Sequence, residues 1–186
     1  MKKLLLMIPL FIFLTACNNQ ENSNEKDKII TAQNDSVLNE LGAVETKKDI
    51  DMKKAIKHGP IEIEMTNLKL AKIKVDDESL GLVDEEKEID ALAIKWSIKN
   101  TSDKKTNFFD TGSYLVTNDK QQIHSSTFQD TSVDQGLHPG VEQKGELFFV
   151  MEKDVQKLKS IDLYLDQVLI GEKVVAESKK ITFPIE

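Results

Sequence analysis

Alternation of apolar and polar residues with a period of two is the feature that most restricts the fold of this chain. In residues 92–99, the apolar residues Leu92, Ile94, Trp96 and Ile98 alternate with lysines and small residues. Successive side chains of an extended strand point to opposite faces of a sheet. The segment therefore predicts a half-buried β-strand whose apolar face, including Trp96, lies in the core.

Other short segments with strand character follow along the chain, separated by turn residues. The predicted strands cover residues 60–65, with a bulge or a second short strand near 66–67, and then 92–99, 112–117, 121–129, 145–151, 161–165 and 173–183. The segment 145–151 is apolar at consecutive positions, which predicts a central strand covered on both faces. About seven short strands with no long helix between them predict an antiparallel β-sandwich.

The N-terminus carries the features of an export signal. Lys2 and Lys3 precede an apolar run over residues 4–14. This run is shorter than the roughly 18 apolar residues that a membrane-spanning helix needs, so it is typical of the core of a signal peptide.

The run ends in Leu14-Thr15-Ala16-Cys17, and this tetrapeptide resembles the lipobox of bacterial lipoproteins. The resemblance implies that residues 1–16 are a lipoprotein signal peptide and that the Cys17 thiol receives a lipid. An ordinary secretory signal with a chance cysteine is the alternative. Cys17 is, however, the only cysteine of the chain and stands at the cleavage point. We therefore predict a membrane-associated protein, lipid-anchored through Cys17 on the extracytoplasmic face of the cell membrane.

The composition of the chain argues against several functional classes. All 25 basic residues are lysines, against 32 acidic residues, and the net charge is −7. An acidic chain without arginine is poorly suited to bind phosphates or to read bases, so we predict no nucleic-acid partner. With Cys17 lipidated, the mature protein has no free thiol, which excludes thiol catalysis and cysteine-ligated zinc.

The region between the lipid anchor and the first predicted strand has no core pattern. Residues 18–28 are polar throughout, which predicts disorder. Apolar residues at helical spacing within 36–44 allow a short helix that would be marginal alone. The predicted organisation is a signal peptide (1–16), the lipidated cysteine with a disordered linker (17–57), and a folded domain (58–186).

Three stretches carry a resemblance to a known family. They are an apolar strand running into Lys99-Asn100-Thr101-Ser102-Asp103-Lys104, the strand and turn Tyr114-Leu115-Val116-Thr117-Asn118-Asp119-Lys120, and Leu137-His138-Pro139-Gly140 followed by Gly145, Leu147 and Phe149. Their order and spacing resemble bacterial lipoproteins with a telokin-like, immunoglobulin-like domain of unknown function, related to the mycobacterial secreted immunoprotective antigen fold. Lys120 stands where that family usually has a turn glycine. The resemblance implies an immunoglobulin-like β-sandwich on a lipid tether and no particular activity.

Residues 76–90 are the most unusual segment of the domain, with eight acidic residues and one lysine. One interpretation is a weak calcium site or a patch for a basic partner, since calcium is bound by several carboxylate oxygens. The other, which we favour, is a solvated loop between the first two strands. The spacing of an EF-hand is absent, and we assign no metal ligands.

The remaining candidate residues do not form a catalytic set. His58, His124 and His138 are not at metal-ligand spacing, and none is accompanied by a predicted acid and nucleophile on one strand face. We therefore predict no catalytic residue, no cofactor and no enzymatic activity. Phe108 and Phe109 either form an exposed anchor for a partner or, as we favour, one of them closes the end of the core.

The functional prediction is a non-enzymatic binding or interaction module held at the cell envelope. Its partner would be an envelope protein or peptide, bound by loops or by pairing with an edge strand. The alternatives are a structural or accessory subunit of an envelope assembly and a weak calcium-binding surface domain.

Overall fold

The computed structural model describes residues 37–126, 136–152 and 154–185. The predicted signal peptide 1–16 and the lipid attachment site Cys17 lie outside these residues. In the described part, antiparallel β-sheets form an immunoglobulin-like β-sandwich, which confirms the fold class. None of the helices in this part is long and apolar enough to cross a membrane.

One short helix and eleven strands make up the described fold. The helix is α1 (Val37–Leu41), and the strands are β1 (Gly42–His58), β2 (Ile61–Val75), β3 (Glu88–Asn100), β4 (Asn107–Phe108), β5 (Tyr114–Thr117), β6 (Gln122–His124), β7 (Glu142–Met151), β8 (Ser160–Leu165), β9 (Val168–Ile170), β10 (Lys173–Ala176) and β11 (Lys179–Pro184). The predicted number of about seven is wrong. The prediction missed β1, the very short β4 and β9, and the division of residues 173–183 into β10 and β11.

The strands form two four-stranded layers and one smaller sheet. One layer has the order β1-β2-β3-β7, the opposite layer has the order β11-β8-β5-β6, and the smaller sheet has the order β10-β9-β4. The main core contains apolar side chains of both layers, such as Leu70 and Ile94 from the first and Leu163 from the second. The predicted bulge is confirmed, because the register of β2 against β3 shifts between Met65 and Asn67.

The predicted disordered linker over residues 17–57 is wrong from residue 37 onward. β1 pairs with β2 along its whole length, and its side chains Ile50, Met52 and Ile56 pack half-buried against the main core. β1 is an edge strand with charged residues at its exposed positions, and two register shifts interrupt its alternation. A polar edge strand with bulges hides the period-two pattern, which is why the sequence resembles a linker. The earlier part of the predicted linker lies outside the described residues.

The strand predicted over 145–151 exists as part of β7, but it is an edge strand of its sheet and not a central one. Both of its faces are nevertheless buried. Leu147 and Phe149 face the main core, whereas Phe148 belongs to a separate apolar cluster on the outer face of the sheet. The continuous apolar pattern of β7 therefore arises because a helix covers the outer face of the sheet, and not because β7 lies between two other strands.

We call this separate cluster the second core. It consists of the helix residues, the strand residues beneath them and one residue of the β2–β3 connection: Val37, Leu38, Leu41, Ala71, Ile73, Val75, Val83, Ile89, Ala91, Ala93 and Phe148. The alanines leave room for a helix to approach the sheet closely. A five-residue helix has no stability of its own, so α1 depends on this packing.

The two aromatic predictions for the main core are confirmed. Trp96 is 2% exposed, and its ring meets the edge of Phe108 at a centroid distance of 5.8 Å. Phe108 is fully buried, whereas Phe109 is 37% exposed. One of the two phenylalanines therefore closes the core, as favoured from the sequence.

Lys120 adopts a backbone conformation that favours glycine, with φ of +72°. This is the turn where the resembling family usually has glycine. A Cβ atom in the left-handed region costs about 1 kcal/mol, so Lys120→Gly is expected to raise the free energy of unfolding by about that amount. Urea denaturation of the two proteins measures the difference. Lys105→Gly is the matched control, because Lys105 is exposed at negative φ and its replacement is expected to destabilise the protein. Equal effects of the two changes would contradict the prediction.

Candidate interaction surface

A concave surface lies at the end of the sandwich where α1 begins the described fold. We call this end the tether pole, because the predicted lipid anchor precedes α1 in the chain. In the first layer, the end of β2 pairs with the start of β1 on one side and with the start of β3 on the other. The end of β7 pairs with the start of β3. The β2–β3 connection (residues 76–87) and the residues that follow β7 therefore surround an open groove of about 720 Å³.

The lining of this groove is strongly acidic. Six carboxylates and one lysine give it a formal charge of −5, and they are Asp84, Glu86, Glu88, Asp90, Glu152, Asp154 and Lys72. Asp84, Glu86 and Glu152 are exposed. A concentration of one sign of charge in a cleft attracts a partner of the opposite sign over several ångströms.

Lys72 is held at one side of the groove by two of the carboxylates. Its Nζ lies 2.9 Å from Glu88 Oε1 and 3.9 Å from Asp90 Oδ1. The hydrogen bond to Glu88, with the charges of Glu88 and Asp90, raises the pKa of Lys72, and the same contact lowers the pKa of Glu88. Asp90 Oδ2 also accepts the backbone N–H of Val155 at 3.0 Å, which fixes the chain after β7. These groups shape the groove, and the exposed carboxylates supply its external charge.

An apolar side chain stands among these charges. Leu82 is 59% exposed and lines the groove with the buried Val83 and Ile89. A short 3-10 turn over Leu80–Leu82 directs Leu80 and Val83 toward the second core and leaves Leu82 outside. An exposed leucine surrounded by carboxylates is typical of a surface that contacts a partner with both basic and apolar groups.

The acidic segment 76–90 is thus only partly the solvated loop that we favoured. Its last three residues belong to β3, and Val83 and Ile89 are buried in the second core. Its carboxylates are also divided, since residues 76–78 do not line the groove. Among the described residues, no three Asp, Glu, His or Cys side chains are grouped to hold a metal ion, so the calcium interpretation gains no support.

The three histidines lie in different places. His58 is buried, and its Nε2 is 2.7 Å from the backbone oxygen of Asp166. His124 is exposed beside the ring of Tyr114, and His138 is exposed at a corner. In the part of the chain that the structure describes, none of the three forms a hydrogen bond with a carboxylate side chain.

Lysine side chains connect the edge strand β1 of one layer with the edge strand β11 of the other. Lys54 Nζ of β1 donates to the Thr182 oxygen of β11 at 3.2 Å, and Lys48 Nζ donates to the Ile185 oxygen. In return, Lys179 Nζ of β11 donates to the Lys57 oxygen of β1 at 2.7 Å. Bulges and lysines are the usual protection of edges against pairing. The groove is therefore a better candidate for an interaction surface than these two edges.

Two of the stretches that carry the family resemblance meet at one buried side chain. Asn100 Nδ2 donates to the Lys104 oxygen at 2.7 Å and to the Leu137 oxygen at 2.9 Å, and Asn100 Oδ1 accepts the Ser102 N–H at 2.9 Å. The Gly140 N–H donates to the Asn100 oxygen at 3.0 Å. These residues form a structural corner far from the groove, and Asn100 is fully buried. The stretches that resemble the family therefore have a structural role, which is to form this corner.

Sequence reasoning found only one wall of the groove. The acidic segment was identified from the sequence, but Lys72 on β2 carried no signal of its own, and neither did Glu152 and Asp154, which are distant in the chain. Glu146, which is 9% exposed beneath α1, was also missed. A single glutamate inside the apolar run of β7 is a detectable signal, because a buried carboxylate needs a partner.

A family model described as "Domain of unknown function (DUF4352)" matches residues 51–174, which include both strands that border the groove. No curated protein matches the chain.

Two solved structures share the fold. A functionally unknown protein from Listeria monocytogenes EGD-e has a TM-score of 0.60 at 15% identity, and the match covers 82% of this chain and 94% of that one. A protein from Bacillus subtilis subsp. subtilis str. 168, described as a "putative lipoprotein (ycdA)", has a TM-score of 0.51 at 13% identity, covering 72% of this chain and 39% of that one. At such identities the likeness shows the fold alone.

Proposed function

The chain belongs to the family described as a domain of unknown function (DUF4352), and we propose that it is a membrane-anchored extracytoplasmic lipoprotein with a non-enzymatic binding module. The lipobox ending in Cys17 supports the anchor, and the description of the Bacillus subtilis neighbour as a lipoprotein agrees with it. We also propose a relation to the telokin-like domains and to the mycobacterial antigen fold, which rests on the three stretches of sequence that resemble that family.

The observation that carries the binding role is the acidic groove with its exposed leucine. Its formal charge of −5 and the exposure of Leu82 favour a basic, partly apolar segment of an envelope protein or peptide. Charge of this kind mainly accelerates association and selects partners, and it weakens with salt.

The groove lies at the pole from which the chain continues toward Cys17. Cys17 and Val37 are 20 positions apart in the chain, so the proposed anchor lies within the roughly 70 Å that 20 residues of fully extended chain can span. A partner that is itself in or on the membrane is therefore favoured over one far outside the envelope.

The anchor is tested by Cys17→Ser. We expect the wild-type protein to sediment with membranes and the variant to appear in the soluble fraction, because it lacks the thiol that receives the lipid. Incorporation of labelled palmitate into the wild-type protein alone provides a second readout. A variant that stays with the membranes would contradict lipid anchoring.

The groove is tested by crosslinking in cells followed by purification of the lipoprotein. The groove variant carries Asp84→Asn, Glu86→Gln and Glu152→Gln, and the control carries Glu62→Gln, Glu64→Gln and Glu177→Gln at exposed positions elsewhere. We expect a partner that is captured by wild type and control and lost with the groove variant, and whose capture falls as salt rises.

Other outcomes decide against parts of the proposal. A partner captured equally by all three proteins would move the interface away from the groove. A partner that stays bound in high salt to the anchored protein in a fixed ratio would instead indicate a structural subunit of an envelope assembly.

A further inference from the structure

The second core connects three parts of the molecule that are far apart in the sequence. It joins α1, the strand β7 and the β2–β3 connection that forms one wall of the groove. The backbone N–H of Val37 donates to Glu146 Oε2 at 2.9 Å, across 109 residues of chain. The first N–H groups of a helix have no partner within the helix, and a carboxylate at this end also faces the positive end of the helix dipole. Glu146 thus holds the beginning of α1 on β7.

The end of α1 is held by the groove wall. The Asp76 N–H donates to the Leu41 oxygen at 2.9 Å, and Ser79 Oγ donates to the Glu40 oxygen at 3.4 Å. The last carbonyl groups of a helix also need partners from outside it. Here the β2–β3 connection supplies them, so each of the two segments completes the hydrogen bonding of the other.

The apolar contacts make the same connection. Leu38 and Leu41 of α1 are each 1% exposed, and they share the second core with Val83 from the β2–β3 connection. Leu80 packs partly buried against the same cluster. Between Leu80 and Val83 lies Leu82, the exposed leucine of the groove. If α1 left the sheet, the residues on both sides of Leu82 would lose their apolar cover.

We infer that α1 supports the wall of the groove. Its packing on the sheet, which Glu146 holds in place, fixes the position of the β2–β3 connection and thereby the shape of the groove. α1 is also the first described element after the predicted lipid anchor. The coupling stands on the contacts above, and only its effect on binding rests on the proposed function.

Hydrogen exchange of the full-length mature lipoprotein in detergent micelles tests the coupling. The variants are Glu146→Ala, Glu146→Gln and Leu38→Ala, and the control is Glu142→Ala, four residues away on the same strand and face. Loss of a buried charged hydrogen bond corresponds to about a tenfold change in a local opening constant. We expect about tenfold faster exchange of amides 76–87 in Glu146→Ala and Leu38→Ala, with β8 and β11 unchanged and Glu146→Gln intermediate.

Two results would overturn the inference. Faster exchange confined to residues 37–41, with 76–87 unchanged, would show that α1 leaves the sheet without loosening the wall. Faster exchange throughout β8 and β11 would show that α1 belongs to the global folding unit. Because Glu146→Gln keeps the side-chain size and an accepting oxygen, it remains informative if either alanine variant fails to fold.

A binding measurement separates this inference from the proposed function. The probe is a synthetic peptide of alternating lysine and leucine residues, titrated against the same proteins. We expect the Glu146→Ala protein to bind the probe several-fold more weakly than wild type and the Glu142→Ala control to bind it equally. If wild type does not bind the probe, the groove proposal fails, and the exchange experiment still decides the coupling. If all proteins bind it equally, the packing of α1 does not control the shape of the groove.

Discussion

Trp96→Ala is expected to lower the free energy of unfolding by about 3–5 kcal/mol, the largest single effect of any change in the main core. Trp96 lies at the centre of the face that β3 turns to the opposite layer, where it is 2% exposed and contacts Phe108. Its removal leaves a cavity that rigid neighbouring strands cannot fill. Urea denaturation followed by circular dichroism measures the change.

Trp96→Phe is the informative comparison. Within the described residues, the Trp96 Nε1 atom is buried without a hydrogen-bond partner, so phenylalanine removes an unsatisfied donor as well as volume. We expect a loss below about 2 kcal/mol for this variant. A near-neutral result for Trp96→Ala would mean that β3 turns its other face to the core.

Asn100→Ala is expected to cost about 3 kcal/mol, because it removes the hydrogen bonds that the side chain donates to the Lys104 and Leu137 oxygens and the oxygen that accepts the Ser102 N–H. The turn after β3 and the turn before β7 would then lose the side chain that connects them. Asn100→Asp keeps the size of the side chain but replaces that donor by an acceptor, so we expect a loss at least as large at neutral pH.

The matched control for this corner is Asp103→Ala, at an exposed position of the same turn. We expect that change to stay within about 0.5 kcal/mol. Equal and small effects at both positions would mean that the family motif has no structural role here. The corner would then have to be reconsidered as a functional surface.

The two largest expected effects and the proposed binding surface occupy different parts of the molecule. Trp96 and Asn100 serve the sandwich itself, whereas the groove is built on connections at the tether pole. Substitutions of the exposed groove carboxylates Asp84, Glu86 and Glu152 are therefore expected to leave stability nearly unchanged. This separation allows the binding experiments to be interpreted without a correction for unfolding.

The local alternation of apolar and polar residues was sufficient for the sandwich, the facing of Trp96 and the bulge near residue 66. These features depend on neighbours two positions apart, and the sequence displays them directly. The same rule failed for β1, whose exposed edge carries lysines and bulges. It also misplaced β7, since a buried outer face arises from a helix as readily as from neighbouring strands.

By itself, the sequence predicted an export signal and lipid attachment at Cys17, and it determined the fold class and the acidic character of residues 76–90. Each of these depends on the composition or the periodicity of one continuous segment. Only the tertiary structure decided that Lys72, Glu152 and Asp154 join the acidic segment in one groove, and that Glu146 holds α1. Such sites arise from strand pairing between distant segments, and no local pattern records which strands will become neighbours.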